Sequence, residues 1–427
     1  MSELKKVLIV TYYWPPAGGP AIQRTLKFVK YMRFFGWEPV ILTVENGEYP
    51  AIDPSLIQEI PDNIQVYKTK AFQPFQLYRM LTGKKGNTHN NANVFGQKDT
   101  TFVERLAKWI RLNLFIPDAR IGWYAYAVKA AKKIIEQEHI DLIYSSSPPH
   151  SLQLIAQKIA KQNKIKWVAD FRDPWSELVH YQSYKRTWLT RKIDSHFEKS
   201  VFRSADRLVA AANDYATCIK THVDRKIEVI YNGYDPSDFP KPKSRNTEDF
   251  LITYTGELSE DRIPHALLRA LSRLEHSNIK LQFIGNTCPE LKQEIQRLNL
   301  GNKVMLKPYM PHIASIAELQ QSDLLLLVIN QVANGKGIVP GKIFEYLGTR
   351  KPILCLGDPT GEAGEIIKTT NSGFCIAHHN EEEIFILLSR LSSGVLPGLS
   401  FQTEQFERKN ETGQLCDIFN TLVNKPS

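Results

Sequence analysis

Short apolar runs, many of them rich in β-branched residues, alternate with longer stretches of helical periodicity over most of the sequence. Such runs are typical of strands in a parallel sheet, and the stretches between them suit crossover helices. We therefore predict an α/β fold of two Rossmann-like, doubly wound domains. The predicted strands of the first half are Val7–Val10, Pro39–Thr43, Ile64–Thr69, Asp141–Ser146, Lys166–Phe171, Arg207–Ala211 and Ile227–Tyr231. Those of the second half are Leu251–Thr255, Lys280–Ile284, Lys303–Leu306, Leu324–Ile329, Pro352–Leu356 and Gly373–Ile376.

The alternation is interrupted after residue 235. Residues 236–248 (PSDFPKPKSRNTE) combine three prolines with charges of both signs, a composition typical of a linker. We predict an N-terminal domain at 1–235, a C-terminal domain at 249–398, and a final helix at 399–427 that packs back toward the N-terminal domain. Two such domains facing each other across a cleft would bind ligands at the carboxyl ends of their strands.

The composition is that of a globular protein. Apolar residues make up 42% and charged residues 23% of the 427 positions, and no apolar run approaches the ~20 residues of a membrane-spanning helix. The apolar run after the basic start is too short for a signal peptide, so we expect a cytoplasmic protein. Five scattered cysteines without a Cys-x-x-Cys pair indicate neither a disulfide framework nor a zinc site.

The net charge of +9 (54 − 45) is concentrated in two windows. Residues 102–133 carry seven Lys/Arg and two acidic residues, and residues 185–203 carry six and two, interleaved with aromatic and aliphatic residues. Such helices either lie on an anionic membrane surface or are ordinary surface helices with basic outer faces. We expect no nucleic-acid partner, because no helix-turn-helix, zinc-finger or RNP-like pattern accompanies the charge.

A pair of glycines follows the first predicted strand, just before a helix. The backbone amides of Gly18 and Gly19 could approach a phosphate or a sugar there, aided by the helix dipole. The segment is neither a Gly-x-Gly-x-x-Gly fingerprint nor a P-loop. A plain tight turn explains the two glycines equally well.

Two loops of the second half carry residues suited to a nucleoside diphosphate. Arg262, after the first strand of this half, could place a bidentate guanidinium on a diphosphate. Gly341 and Lys342 stand at a predicted helix N-terminus, where a cation opposes the helix dipole unless an anion lies between them. Glu345, on the same helix face as Lys342, could accept two hydroxyl hydrogen bonds from a ribose. The alternative is a Lys342–Glu345 salt bridge along the helix.

Polar residues also follow two strands of the first half, and three of them are the candidate catalytic residues. His150, after the fourth strand, could hydrogen-bond a sugar or an acceptor, or it could be a helix-capping or core residue. Asp170, at the end of the fifth strand, could orient an acceptor hydroxyl. Arg172 could bind an acceptor phosphate or pair with a neighbouring aspartate, and Asp173, which precedes a proline, could equally be a turn residue.

Taken in order, these segments resemble the GT-B glycosyltransferases of glycosyltransferase family 4 over essentially the whole chain. One further segment, Asp170-Phe171-Arg172-Asp173-Pro174-Trp175, resembles a subgroup associated with bacterial surface polysaccharides. The segments that match the family are Gly18-Gly19, Tyr231-Asn232-Gly233-Tyr234-Asp235, Gly256…Arg262 and Lys342-x-x-Glu345-Tyr346-x-x-x-x-Lys351-Pro352.

The resemblance implies a nucleotide-sugar donor in the second domain and an acceptor in the first. Its diphosphate-binding arginine and lysine match Arg262 and Lys342, and its ribose-binding glutamate matches Glu345. It implies sugar transfer with retention of configuration, in surface polysaccharide or glycolipid synthesis, from a UDP- or GDP-type donor to a sugar or lipid-linked sugar acceptor. A lipid-linked acceptor would place the protein at the cytoplasmic face of the inner membrane.

The diphosphate charge can be neutralised by these two cations and by the backbone amides of Gly337–Gly341. Since the sequence has no Asp-x-Asp motif, we expect neither a metal nor another cofactor. The family's further glutamate, eight positions before Glu345, is Gly337 here, which leaves the identity of the donor sugar open. Two other functions therefore stay open: an inactive nucleotide-sugar-binding or scaffold protein, and a GT-B-type sugar-nucleotide epimerase.

Overall fold

The computed structural model describes residues 4–49, 51–72, 102–175, 186–240, 245, 248–274, 277–332, 335–395 and 398–423. The chain divides into two compact units. The first unit is formed by residues 1–231 together with residues 411–427, and the second by residues 232–410. Residues 236–248, the predicted linker, fall within the second unit.

The first unit contains a seven-stranded parallel sheet in the order β3-β2-β1-β4-β5-β6-β7. The strand order reverses between β1 and β4, and doubly wound sheets bind ligands at such a reversal. The strands are β1 Lys5–Val10, β2 Trp37–Val44, β3 Gln65–Thr69, β4 Leu142–Ser147, β5 Lys166–Phe171, β6 Arg207–Ala210 and β7 Ile227–Val229. The helices are Pro20–Met32, Phe102–Leu114, Tyr124–Glu138, Ser151–Asn163, Trp188–Ser204 and Asn213–Lys220.

This sheet has an apolar core on each face. Leu8 and Val10 of β1 belong to one buried cluster, and the alternate residues Val7 and Ile9 belong to another. Because successive side chains of a strand point to opposite faces, both sets must be apolar when helices cover both faces. The two-sided core therefore explains why β1 reads as a continuous apolar run.

The second unit contains a six-stranded parallel sheet in the order β10-β9-β8-β11-β12-β13, which reverses between β8 and β11. In the described part of the chain no helix is long and apolar enough to cross a membrane. The strands are β8 Phe250–Thr255, β9 Ile279–Ile284, β10 Val304–Lys307, β11 Leu324–Val328, β12 Ile353–Leu356 and β13 Gly373–Ile376. The helices are His265–Arg273, Pro289–Arg297, His312–Gln320, Lys342–Thr349, Glu362–Thr370 and Glu381–Ser392.

The last helix, Arg408–Val423, carries the C-terminal end of the chain onto the first unit. Its Phe419 packs edge-on against Trp37 of β2, with ring centroids 5.2 Å apart. The Trp37 indole also donates a hydrogen bond of 3.2 Å to the side chain of Asn420. The segment before this helix is held by a backbone bond from Gln402 to Thr370, so it does not extend the helix toward residue 399.

Every predicted strand is present, and β5 and β13 have the predicted bounds. One difference lies at the end of the first helix. In the sequence Ile22, Leu26 and Val29 recur with helical spacing, and the same spacing continues to Arg33, which predicts a helix over Ala21–Phe35. The helix ends at Met32, and a tight turn closed by Gly36, at φ 81°, follows it. Arg33 instead forms an ion pair with Glu38 at 2.7 Å.

Candidate functional site

A glycine turn at the carboxyl end of β8 allows a lysine to approach the backbone closely. Gly256 has φ +106°, and a Cβ atom there would lie 2.8 Å from the ammonium nitrogen of Lys342. Gly285, after β9, has φ +127°, and its Cβ would lie 2.5 Å from the carbonyl oxygen of Gly256. Both positions therefore require glycine, for conformation and for space.

Lys342 and Arg262 meet at Tyr254 of β8. The Lys342 ammonium donates a 2.8 Å hydrogen bond to the Tyr254 phenol oxygen and lies 4.0 Å from the centre of its ring. The phenol donates in turn to the carbonyl of Glu257 at 2.8 Å. Arg262 interacts with the same phenol, and its Nε donates to the Ser259 hydroxyl at 3.1 Å. Two cations are thus held together by a neutral group.

The charge of Lys342 is poorly compensated within the protein. Burial, together with repulsion from Arg262, lowers the pKa of Lys342 to about 8, and attraction by Glu345 and Glu257 only partly opposes this. Burial raises the pKa of Tyr254 to about 12, so this partner stays uncharged at neutral pH. A site that disfavours its own positive charge favours an anionic ligand.

The helix Lys342–Thr349 begins beside this pair. Gly341 precedes it, without a side chain that could cap the helix, and a Cβ added there would meet open space. Glu345 has a side chain that is 38% exposed and lies 3.2 Å from Nε2 of His312. The alternative interpretation, a salt bridge between Lys342 and Glu345, is not among the ion pairs of the described residues, although the two charges attract. Glu345 thus presents a solvent-accessible carboxylate near Lys342.

Sequence reasoning missed Tyr254 and His312. Tyr254 lies inside an apolar strand, where a tyrosine is ordinarily a core residue. His312 follows β10 and is 30 positions before Lys342, so the sequence does not show that the two segments meet. The position of each at the carboxyl end of a strand is the signal that could have found it. In the described part of the chain, no three His, Cys, Asp or Glu side chains are grouped as metal ligands would be.

The glycine pair of the first unit lies at the turn between β1 and the helix Pro20–Met32. Gly18 donates its amide to the carbonyl of Ala51 at 2.9 Å, so this amide is used within the protein. Gly19 has φ 92° at the start of the helix, and a Cβ there would meet open space. Of the two glycines, Gly19 is the one with room for a ligand beside it.

His150 is buried at the start of the helix Ser151–Asn163. Its ring stacks on Trp175, with centroids 4.7 Å apart and planes 13° apart. Burial, with a contribution from Arg172, lowers its pKa to about 3, so the imidazole is neutral at physiological pH. The Pro174 carbonyl lies beside the ring, but neither ring nitrogen makes a well-formed hydrogen bond to a described residue. The side chain that caps this helix is Asp118, which accepts from the amide and the hydroxyl of Ser151 at 2.9 Å each.

Asp170 is fully buried, and its carboxylate is saturated with donors. Nε and Nη2 of Arg24 donate to its two oxygens at 2.8 and 2.9 Å. The hydroxyls of Tyr144 and Ser146 donate to one of these oxygens at 2.8 and 2.7 Å. Burial opposes the charge, but Arg24 and these hydroxyls hold the pKa of Asp170 below its usual value. The third guanidinium nitrogen of Arg24 donates to the Tyr231 carbonyl at 2.7 Å. The Arg24–Asp170 ion pair therefore also holds the backbone at Tyr231, where the first stretch of the first unit ends.

Arg172 and Asp173 follow β5 and differ in accessibility. The Arg172 amide donates to the Ser147 carbonyl at 2.9 Å, and its guanidinium donates to the carbonyls of Ser147 and Pro148. Arg172 is therefore tied to the loop after β4. Asp173 is exposed, yet the surrounding protein raises the pKa of its carboxyl group, against the attraction of Arg172. Asp173 is thus an acidic side chain of this loop that solvent reaches.

Two family models match the chain. Residues 93–238 match the model described as Glycosyltransferase Family 4, and residues 236–393 match Glycosyl transferases group 1. No curated protein matches the chain.

Solved structures are similar over nearly the whole chain. A glycosyltransferase from Rickettsia africae is 15% identical with a TM-score of 0.60, over 99% of this chain and 100% of that chain. Alr3699/HepE from Anabaena, in complex with UDP, is 14% identical with a TM-score of 0.61, over 98% and 100%. A candidate UDP-N-acetylglucosamine 2-epimerase from Listeria monocytogenes is 11% identical with a TM-score of 0.56, over 99% and 98%.

At these identities the structural likeness shows the fold, which is that of the GT-B glycosyltransferases, with two parallel-sheet α/β domains. The predicted fold class is thereby confirmed. The family matches support a glycosyltransferase.

Proposed function

We propose that this protein transfers a sugar from a nucleoside-diphosphate sugar to an acceptor hydroxyl, in bacterial surface polysaccharide or glycolipid synthesis. The observation that carries the proposal is the pair of cations, Arg262 and Lys342, held around the neutral phenol of Tyr254. A diphosphate placed there would supply the missing negative charge. As the sugar leaves, the two cations would stabilise the charge that develops on the diphosphate.

The nucleoside part of the donor would lie toward Glu345. Its accessible carboxylate can accept hydrogen bonds from both ribose hydroxyls, and His312, at 3.2 Å, would orient it. The amides near Gly341 would add donors to the diphosphate. We propose a UDP- or GDP-type donor, and the UDP complex of the similar Anabaena protein supports the first of these.

The acceptor would meet the loops after β4 and β5. We propose that His150, Asp170 and Arg172 hold these loops, because each is committed to contacts within the protein. Asp173 is the accessible carboxylate of this group and would accept a hydrogen bond from the attacking hydroxyl. Gly19 would approach the donor or the acceptor through its backbone.

The chemistry we propose proceeds with retention of configuration and without a metal, as the resemblance to family 4 implies. The acceptor would be a sugar or a lipid-linked sugar, and the protein would act in the cytoplasm or at the cytoplasmic face of the inner membrane. A sugar-nucleotide epimerase is the second candidate, because the fold is shared with the candidate Listeria epimerase.

Ligand-induced thermal stabilisation tests the donor site. Wild type, Arg262→Ala and Lys342→Ala are each heated with UDP, GDP, ADP, CMP or TDP. A ligand at about 100 times its dissociation constant should stabilise wild type by ~2.7 kcal/mol, and both variants should lose most of this. Lys368→Ala, which removes a surface cation of the same unit, should retain it.

Product analysis then separates the functions. Incubation of the matching nucleotide sugar without acceptor should release nucleoside diphosphate slowly and leave the remaining donor sugar unchanged. Conversion of that sugar to its epimer would identify an epimerase instead. Binding of the nucleotide without hydrolysis or transfer would favour the scaffold.

A further inference from the structure

Two helices of the first unit expose apolar side chains beside basic ones. We call these helices, Phe102–Leu114 and Trp188–Ser204, the docking helices. On the first of them the exposed apolar residues are three and five positions apart, so at 3.6 residues per turn they lie within about 140° of the helix circumference. The exposed fractions are 46% for Leu106, 46% for Trp109, 63% for Leu114, 67% for Trp188 and 57% for Leu189.

Hydrogen bonds join the two docking helices into one surface. The side-chain oxygen of Asn113 accepts from the Thr187 amide at 2.7 Å and from the Thr190 hydroxyl at 3.0 Å. Asn113 closes one helix and Thr187 caps the next. Their sequence neighbours, Leu114 and Trp188, therefore lie at one junction, and both are largely exposed.

The charge on this surface has one sign wherever side chains are described. Asp194 and Glu198 of the second docking helix are 2% and 3% exposed and face the interior. Arg105, Arg191 and Lys192 are exposed, and the Lys192 ammonium lies 5.1 Å from the centre of a neighbouring exposed indole ring. Apolar and aromatic side chains set among cations match a bilayer surface with anionic headgroups.

We infer that the docking helices together seat the protein on an anionic lipid bilayer. Their tryptophans and leucines would enter the boundary between headgroups and acyl chains, while their arginines and lysines meet the lipid phosphates. The inference does not depend on the donor site. It deepens the proposed function by naming the surface through which a lipid-linked acceptor would be reached.

Co-sedimentation of the full chain with vesicles tests the inference. Wild type should sediment with vesicles of phosphatidylglycerol and phosphatidylethanolamine but not with phosphatidylcholine alone, and salt should weaken the binding. The triple variant Arg105→Gln, Arg191→Gln, Lys192→Gln should bind on the order of 100-fold more weakly, since each basic residue near an anionic surface contributes about fivefold.

Matched variants distinguish binding through the docking helices from effects of net charge and of exposed apolar side chains in general. The triple variant Lys129→Gln, Lys132→Gln, Lys133→Gln removes the same charge from exposed positions of another helix of this unit and should bind nearly as wild type. The pair Leu114→Ser, Trp188→Ser should bind weakly. The pair Tyr309→Ser, Ile313→Ser, exposed in the second unit, should bind normally.

Three outcomes would overturn the inference: wild type that stays unbound, equal losses in the two triple variants, or retention of duplex DNA instead of vesicles. Nucleotide-induced stabilisation, measured without vesicles, should be the same in wild type and in all four variants. A failure of vesicle binding with intact nucleotide binding would thus leave the proposed function standing.

Discussion

The ammonium nitrogen of Lys342 lies 4.0 Å from the centre of the Tyr254 ring and 2.8 Å from its phenol oxygen. This phenol is neutral at physiological pH, because burial raises its pKa to about 12. Lys342 is therefore positioned by a dipole and a ring face, and its direct hydrogen-bond partner does not cancel its charge. The positive charge of Lys342 is therefore available to an anionic ligand.

The affinity for nucleoside diphosphates should fall as pH rises above about 8, the pKa of Lys342 in the free protein. The diphosphate binds the protonated ammonium of Lys342. Above this pKa the free protein must take up a proton before it binds, so the affinity should fall by up to tenfold per pH unit. Calorimetric titration between pH 6.5 and 9.5 measures it. Lys342→Arg stays charged over this range and should give a flat profile; an identical fall in both proteins would contradict the assignment.

Replacement of Lys342 by methionine should stabilise the free protein while abolishing diphosphate binding. The pKa of Lys342 is about 8 in the folded protein against 10.5 ordinarily, so the unfolded chain binds more protons between these values. Wild-type stability therefore rises with pH across this window. At pH 7 the variant should be more stable by ~1–2 kcal/mol, after allowance for solvent screening. Thermal unfolding at pH 7 and pH 10 measures this gain, which should shrink at the higher pH.

Asp170→Asn should destabilise the first unit by ~3–5 kcal/mol, because it leaves the buried guanidinium of Arg24 without its counter-ion. Asp173→Asn should change stability by less than ~0.5 kcal/mol and lower the turnover number instead. All seven tryptophans lie between residues 14 and 188, so their fluorescence during urea unfolding reports on this unit. Equal stability of the two variants would argue against the structural role of Asp170.

Gly256→Ala should weaken diphosphate binding and lower stability by about 1 kcal/mol or more. Its φ of +106° strains any side chain, and the new Cβ would meet the Lys342 ammonium at 2.8 Å. Gly301→Ala, in the same unit, meets nothing within 4 Å and should bind normally. Thermal unfolding with and without nucleotide compares the two variants.

Gly341→Ala should leave the stability of the free protein nearly unchanged, because its Cβ has open space and φ is −54°. Donor binding should nevertheless weaken about tenfold or more if the diphosphate approaches this backbone as closely as we propose. Titration of the variant with UDP and GDP provides the test. Unchanged affinity would show that the diphosphate does not bind against the start of this helix.

The order of strands along the chain could be predicted from local sequence. Continuous apolar runs such as Val7–Val10 can be buried only between two layers of helices, so they indicate a parallel α/β sheet without knowledge of their neighbours. Arg262, Lys342 and Glu345 were predicted as donor-site candidates in the same way, because a cation or a carboxylate just after a strand or at a helix start is visible in the sequence itself. Helix ends were less predictable. The first helix ends at Met32, and Arg33 pairs with Glu38, 5 positions away.

Which side chains meet was decided by the tertiary structure. Lys342 and Tyr254 are 88 positions apart, and they touch because parallel strands end at the same edge of a sheet and Gly256 leaves room between them. The fate of Asp170 was equally invisible, since its partner Arg24 is 146 positions away. A carboxylate's role depends on whether other groups reach its oxygens, and only folding places donors 2.8 Å from them. The sequence by itself determined the elements and the chemical types available; the packing of distant segments determined which of them remain open to a substrate.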